Sequence, residues 1–298
     1  MTQTEHIIYK TIAYFSYFGY PVTAFEVWKW QMTQGEPCSL ALIMSTLQTS
    51  EALKKYISEK HGHYGIGDVG TQLVVRHDRY VASVKKYRKV RRVLSYVARL
   101  RSVEGVAICN SLAFHFGRKE SDIDLFLLVK DGTLWSTRLL AVLPFLLLGE
   151  RPGEGAKSPV DMSFFVSSTA LDLSSLRLPG EDPYFAFWMQ SLVPVFERRP
   201  GIFADLLLTN EWAGRALPQS RKAQRAGVRR RAFRLSFPSF VKEPFAERLS
   251  RKRLPPHLKD QANVDTRVVM TNEVLKFHST DRREEIRRHL DQCLTAVS

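Results

Sequence analysis

Three short apolar runs constrain this 298-residue chain more than any other feature. They occupy residues 103–109, 122–129 and 160–166, are rich in Val, Ile, Leu and Phe, and the second and third carry acids near their starts. Runs of this length, bounded by turn signals, read as strands buried on both faces. Between the second and third lies a helix-period segment, residues 133–148, with Trp135 and Leu139 on one side. That order predicts an α+β fold whose centre is a small mixed sheet flanked by helices.

The acids decide what such a sheet does. Asp122 and Asp124 are two apart, so a strand projects both carboxylates from one face. Like charges held together there repel and lose hydration unless a cation sits between them. Mg²⁺ is the natural partner, because it takes oxygen ligands and leaves room for phosphate oxygens. Asp161, near the start of the third run, completes the set from a neighbouring strand. Three carboxylates and two metal ions suit in-line displacement at phosphorus. With 13 Asp in the chain an Asp-x-Asp pair also arises by chance, so the context carries weight. A small-residue turn, Asn110-Ser111, follows the first run eleven positions before Asp122. Its backbone N–H groups and the Ser111 hydroxyl are suited to phosphate oxygens, and Arg118 and Lys119 are suited to the rest of a triphosphate charge.

These residues resemble the nucleotidyltransferase superfamily typified by DNA polymerase beta. Its pattern is a strand, a glycine followed by serine or glycine, a helix, about ten residues, Asp-x-Asp on a strand, and a third Asp on a later strand. Here Cys109-Asn110-Ser111 stands at the turn, residues 121–129 match the two-carboxylate strand, and Val160-Asp161-Met162-Ser163-Phe164-Phe165 matches the third. The resemblance covers residues 103–167, with helices following to 215. It implies catalytic, metal-binding roles for Asp122, Asp124 and Asp161, two Mg²⁺ ions, an NTP as substrate held by Asn110, Ser111, Arg118 and Lys119, and Asp161 helping to activate an acceptor hydroxyl. One departure stands out: the family's glycine is Asn110 here, at a place where phosphate approaches the backbone closely.

Upstream, residues 1–70 read as three helices and a hairpin, which resembles a winged helix. Thr23 and Glu26 form a capping-box pattern, Ser39 opens the third helix, and His61-Gly62-His63 marks the hairpin. The third helix offers only Gln48 for reading base edges, which argues for docking on protein or on the chain's own catalytic part. His61 and His63 have no third ligand in sight and read as a polar wing. Residues 71–101 read as a basic connecting helix with an apolar stripe of Val81, Val84, Tyr87, Val90, Leu94, Val97 and Leu100.

Charge is concentrated. The net charge is +14. Residues 76–101 hold ten Lys/Arg against one acid and residues 221–253 hold twelve against two, leaving the rest of the chain net acidic. Two basic blocks suggest a polyanion. The contacts expected for nucleic acid are Lys85, Lys86, Arg88, Lys89, Arg91 and Arg92 in the first block, and Arg229, Arg230, Arg231 and Arg234, interleaved with phenylalanines, in the second. RNA, as a tRNA-like end, is the first acceptor expected. A protein acceptor, a small molecule, or a non-catalytic winged-helix protein with a degenerate transferase part are the alternatives.

The transferase part is expected over residues 102–215 and a basic extension over 216–298. Within these, residues 183–196 and 202–212 read as helices, residues 264–270 as an edge strand, and Asp281 with Glu284 as the cap of a last helix. Three scattered cysteines and the lack of a signal-like N-terminus or membrane-length apolar run point to a cytoplasmic chain without membrane contact.

Overall fold

The computed structural model describes residues 1–33, 35–148, 159–220 and 241–297. Thr2 and Glu5 form a reciprocal cap that opens α1 (Gln3–Ser16). Gly19, at φ 62°, turns the chain out of it. The Thr23–Glu26 box forms as expected, at the junction of β1 (Val22–Thr23) and α2 (Ala24–Trp30). Ser39 caps α3 (Leu40–Thr49), and a single turn, α4 (Glu51–Lys54), follows. The hairpin is β2 (Ser58–Lys60) and β3 (His63–Gly65), joined by His61 and Gly62 at φ 51° and 72°. Two positive φ values in a row give a two-residue turn the twist its strands require. β1 pairs with β3, so this sheet runs β1-β3-β2.

Asp68 then caps α5 (Val69–Val97), a helix of 29 residues. Its buried ladder is Ser83, Lys86, Val90, Val93, Leu94 and Val97, spaced as one helical face. The sequence stripe is therefore right in its second half only, since Val81 is 40% exposed and Val84 36%. Arg76 forms a two-pronged ion pair with Glu26, both contacts at 2.9 Å, and ties α5 to α2.

The three apolar runs become β4 (Val103–Ile108), β5 (Ile123–Val129) and β6 (Val160–Ser167). Between them lie α6 (Asn110–Ala113) and α7 (Leu134–Leu147). β4 and β5 are antiparallel, and β5 and β6 are parallel. α8 (Pro183–Ser191) ends earlier than its apolar spacing suggests, because Val193-Pro194-Val195-Phe196 belongs to strand β7 (Val193–Glu197), paired with β4. Valines flanking a proline favour extended chain, and an edge strand tolerates the missing N–H. Residues 202–212 likewise divide into α9 (Ile202–Thr209) and α10 (Glu211–Ala216). The break is Asn210, whose buried amide donates to the carbonyls of Leu171 and Leu206 and accepts from the Leu173 N–H.

α11 (Glu243–Arg253) and α12 (Pro256–Asp260) lead to β8 (Val268–Met270), the expected edge strand, and β9 (Val274–Phe277), which the sequence did not signal. The large sheet runs β7-β4-β5-β6-β9-β8. Residues 268–277, set aside in sequence as part of a basic extension, thus complete the central sheet. In the last helix, α13 (Arg283–Thr295), the expected Asp281–Glu284 cap does not form: Asp281 accepts from the Arg283 N–H and grips its guanidinium.

Aromatic packing joins the N-terminal helices to the rest. Phe187 on α8 meets Tyr14, Phe15, Trp30 and Phe114 at centroid distances between 4.7 and 5.4 Å. Ile286 and Leu290 of α13 share the same apolar cluster. The N-terminal helices therefore dock on their own chain, one of the two uses their lack of base-reading side chains left open. Among the described residues, no helix is long and apolar enough to cross a membrane.

Candidate active site

The long helix α5 holds the loop that runs from the Asn110 turn to Asp122. Tyr87 donates its hydroxyl hydrogen to the Leu112 carbonyl at 3.3 Å and stacks on His115 at 5.0 Å. The Arg79 guanidinium lies over the Phe116 ring at 3.9 Å. The Gly117 N–H donates to Ser83 Oγ at 3.1 Å. Lys86 completes the clamp. Expected on the polyanion face, it is instead 3% exposed, and its ammonium donates to the carbonyls of Arg118 and Ser121 and to Ser121 Oγ. The helical period explains the correction, because position 86 falls on the inner face with 83, 90 and 97. Burial lowers the pKa of Lys86, while Asp122 and Asp124 resist the shift.

Lys85, Arg88, Arg91 and Arg92 are exposed, and Lys89 is partly buried. Arg229, Arg230, Arg231 and Arg234 lie outside the described residues.

Asp122 immediately precedes β5, and Asp124 is its second residue. The β5–β6 register sets Asp124 directly opposite Asp161, about 4.8 Å away at the spacing of neighbouring strands. A register shift follows at once, between Asp124 and Phe126. Irregularities of this kind recur beside active sites, where they re-aim side chains. Burial, reinforced by the Asp161 and Asp122 carboxylates, raises the pKa of Asp124 to about 7. Burial also raises Asp122, with Lys86 opposing. The neighbours feel the same field: burial and then the Asp124 charge push the Cys109 thiol and the Tyr184 hydroxyl well up.

The Asn110 turn reaches the carboxylates directly. Its side chain hydrogen-bonds Asp124 and thereby limits the rise in pKa. Tyr184 Oη donates to Asn110 Oδ1 at 3.5 Å. The backbone of Asn110 is left-handed, with φ 54°. Asn is among the few non-glycine residues that accept this conformation readily, so the substitution at the glycine position preserves the turn. Asn110→Ala is expected to cost about 1–2 kcal/mol more in thermal or denaturant unfolding than Asn110→Gly, because both lose the side-chain bond and only alanine strains the backbone. Equal losses would contradict the left-handed turn.

The structure thus brings Asn110, Asp122, Asp124 and Asp161 together. Ser111 is partly buried beside them in α6. Arg118 and Lys119 are exposed on the clamped loop, and Arg118 sits near enough to Arg79 to disfavour its charge. Two site residues escaped sequence reasoning. Lys86 was assigned to the wrong face, and Tyr184 stood unremarked before the aromatic stripe of Phe185 and Trp188, whose rings are buried as core.

Among the described residues, no three His, Cys, Asp or Glu side chains form a ready-made metal cage. Mg²⁺ commonly binds through one or two carboxylates plus substrate phosphates rather than through an all-protein cage. Oxygen donors in a setting where burial, and then the charges of Asp161 and Asp122, lift Asp124 to about 7 suit that kind of ion. No family model, curated protein or solved structure matches the chain.

Proposed function

We propose that this chain is a metal-dependent nucleotidyltransferase that moves an NMP from an NTP to an acceptor hydroxyl. The observation that carries the reading is the Asp124–Asp161 pair, set opposite each other on parallel strands with Asp122 alongside and the Asn110 turn bonded to Asp124. Bound Mg²⁺ would be held by these carboxylates and would supply charge neutralisation at the phosphates. Asp161 orients the acceptor hydroxyl and takes its proton. The acceptor oxygen bonds to the α-phosphorus, the bond from that phosphorus to the bridging oxygen breaks, and diphosphate leaves. Ser111 holds the triphosphate, and Lys86 keeps the loop before Asp122 in place.

The order α1-β1-α2-α3-α4-β2-β3, in which α4 is a single turn, with a β1-β3-β2 sheet supports a winged-helix reading of the N-terminal part. RNA is the acceptor we favour, because Lys85, Arg88, Arg91 and Arg92 lie exposed on the helix that also clamps the active-site loop. Incubation with Mg²⁺, each α-labelled NTP and total RNA is expected to label RNA, with the label absent for Asp122→Ala/Asp124→Ala. RNA affinity is expected to fall steeply with added salt. Carboxylate-dependent label on protein instead would replace RNA as acceptor. Salt-insensitive binding would also count against it.

A further inference from the structure

The register of the carboxylate pair depends on one extra residue. Asp124 and Phe126 are two apart on β5 and so share a face. Their partners on β6, Asp161 and Phe164, are three apart. Both pairs face the same side only because Met162 and Ser163 together stand against Leu125. This is a β-bulge in a parallel pair, where bulges are rare. Phe126 and Phe164 do meet, with ring centroids 5.0 Å apart. Straightening the bulge would turn Asp161 or Phe164 to the opposite face, because side chains alternate along a strand.

The bulge is held from its other side. Among the described residues, the β6–β9 ladder covers Phe164, Phe165 and Val166 and stops short of it. His278, just past the end of β9, reaches across: its Nε2 lies 2.9 Å from Ser163 Oγ. Its ring stands nearly perpendicular to that of Phe164, with centroids 6.0 Å apart. Its N–H donates to the Arg267 carbonyl at 3.1 Å, which ties it to the chain entering β8. Burial, and then the Lys276 charge, lower its pKa to about 3. The imidazole is therefore neutral at pH 7, with one ring nitrogen to donate and one to accept.

We propose that His278 is a positioning residue for Asp161: through Ser163 it pins the β6 bulge that sets Asp161 opposite Asp124. A divalent ion held by that pair then depends on a side chain 115 positions away from Ser163, in the C-terminal stretch that completes the sheet. The use of this arrangement in catalysis rests on the transfer reading above; the hold of His278 on the carboxylate pair does not.

The test compares full-length wild type with Ser163→Ala, His278→Phe, the double variant and His278→Gln. Mn²⁺ binding, followed by loss of the free-ion EPR signal, reads the carboxylate pair without any nucleotide. His278→Phe keeps a ring against Phe164 and loses only the bond, so its Tm is expected to stay within a few degrees of wild type. Its Mn²⁺ affinity is expected to fall roughly tenfold, as happens when a group that orients a metal ligand is lost. Ser163→Ala should lose as much and the double variant no more, because both remove one bond. His278→Gln, which can still meet Ser163, should recover most of the loss. In label transfer, kcat should drop with the KM for NTP unchanged. Unchanged Mn²⁺ affinity in both single variants, additive losses in the double variant, or a Gln variant no better than Phe would overturn the proposal. Folded wild type that leaves Mn²⁺ free would do the same. If wild type binds Mn²⁺ but labels nothing with any NTP, the transfer reading fails, and the expected losses of Mn²⁺ affinity would leave the positioning role standing.

Discussion

Asp124→Asn is expected to make the metal-free protein more stable at pH 8, by about 2 kcal/mol. The sign follows from linkage. Asp124 has its pKa raised from 3.8 in the unfolded chain to about 7 in the folded one, so the folded state holds a proton that the unfolded state has lost. Stability therefore falls as pH rises from about 4 to about 7 and is level above that. A full three-unit shift would correspond to ~4 kcal/mol; we take about half, because the side chain is only partly buried and solvent screens it. Asparagine keeps an acceptor oxygen for Asn110 and carries no charge. The variant's advantage should thus be absent near pH 4, grow through neutrality, and reach several degrees in Tm at pH 8. Melting curves across this range check it. An Asn variant less stable than wild type at pH 8 would mean that Asp124 serves the fold, whereas the expected gain means that the chain keeps a costly charge for another purpose. Mg²⁺ should narrow the difference by favouring the ionised wild type.

Arg283→Met is expected to have the largest destabilising effect, about 3–5 kcal/mol. Arg283 is 5% exposed. Its guanidinium meets Asp281 at 2.7 Å and Asp182 at 3.0 Å, and also donates to the Leu176 carbonyl. Removing it strands two carboxylates away from water. Asp182 also caps α8 by accepting from the Phe185 N–H at 3.0 Å, so the helix carrying Tyr184 loosens as well. Burial alone would raise Asp281, but the Arg283 bonds and charge outweigh it and hold its pKa below the ordinary value. That contribution is present above the unfolded carboxylate pKa and is lost as pH falls through the folded one. The variant's deficit should accordingly be greatest at neutral pH and shrink in acid. Adding Asp182→Asn and Asp281→Asn should recover part of the loss. Urea unfolding that shows a deficit under 1 kcal/mol, or no recovery in the triple variant, would contradict this account.

The comparison of these residues with the sequence shows what local pattern can carry. The three central strands and the Asp122–Asp124 face were legible because strand alternation and apolar length are local properties. Asp161 was legible only as the acid of the third run. Its position opposite Asp124 depends on the β5–β6 register, which is set by non-local pairing. β7 and β9 were missed for the same reason, since strands of five and four residues take their identity from partners far along the chain. Lys86 was misplaced because valines and lysines alternate around α5, and a long side chain can bury its stem and spend its charge on carbonyls. Tyr184 could not be found by spacing, because its relation to Asp124 arises only where α8 crosses the Asn110 turn.

The most direct test of the nucleotidyltransferase reading needs no knowledge of the acceptor: calorimetric binding of each NTP to the full chain, with and without Mg²⁺, in wild type and in Asp124→Asn. The expected result is Mg²⁺-dependent binding of at least one NTP to the wild type, weakened at least roughly tenfold in the variant, as the loss of one charged contact would produce. Folded wild-type protein that binds no NTP, or binds one equally well without Mg²⁺ and in the variant, would contradict it.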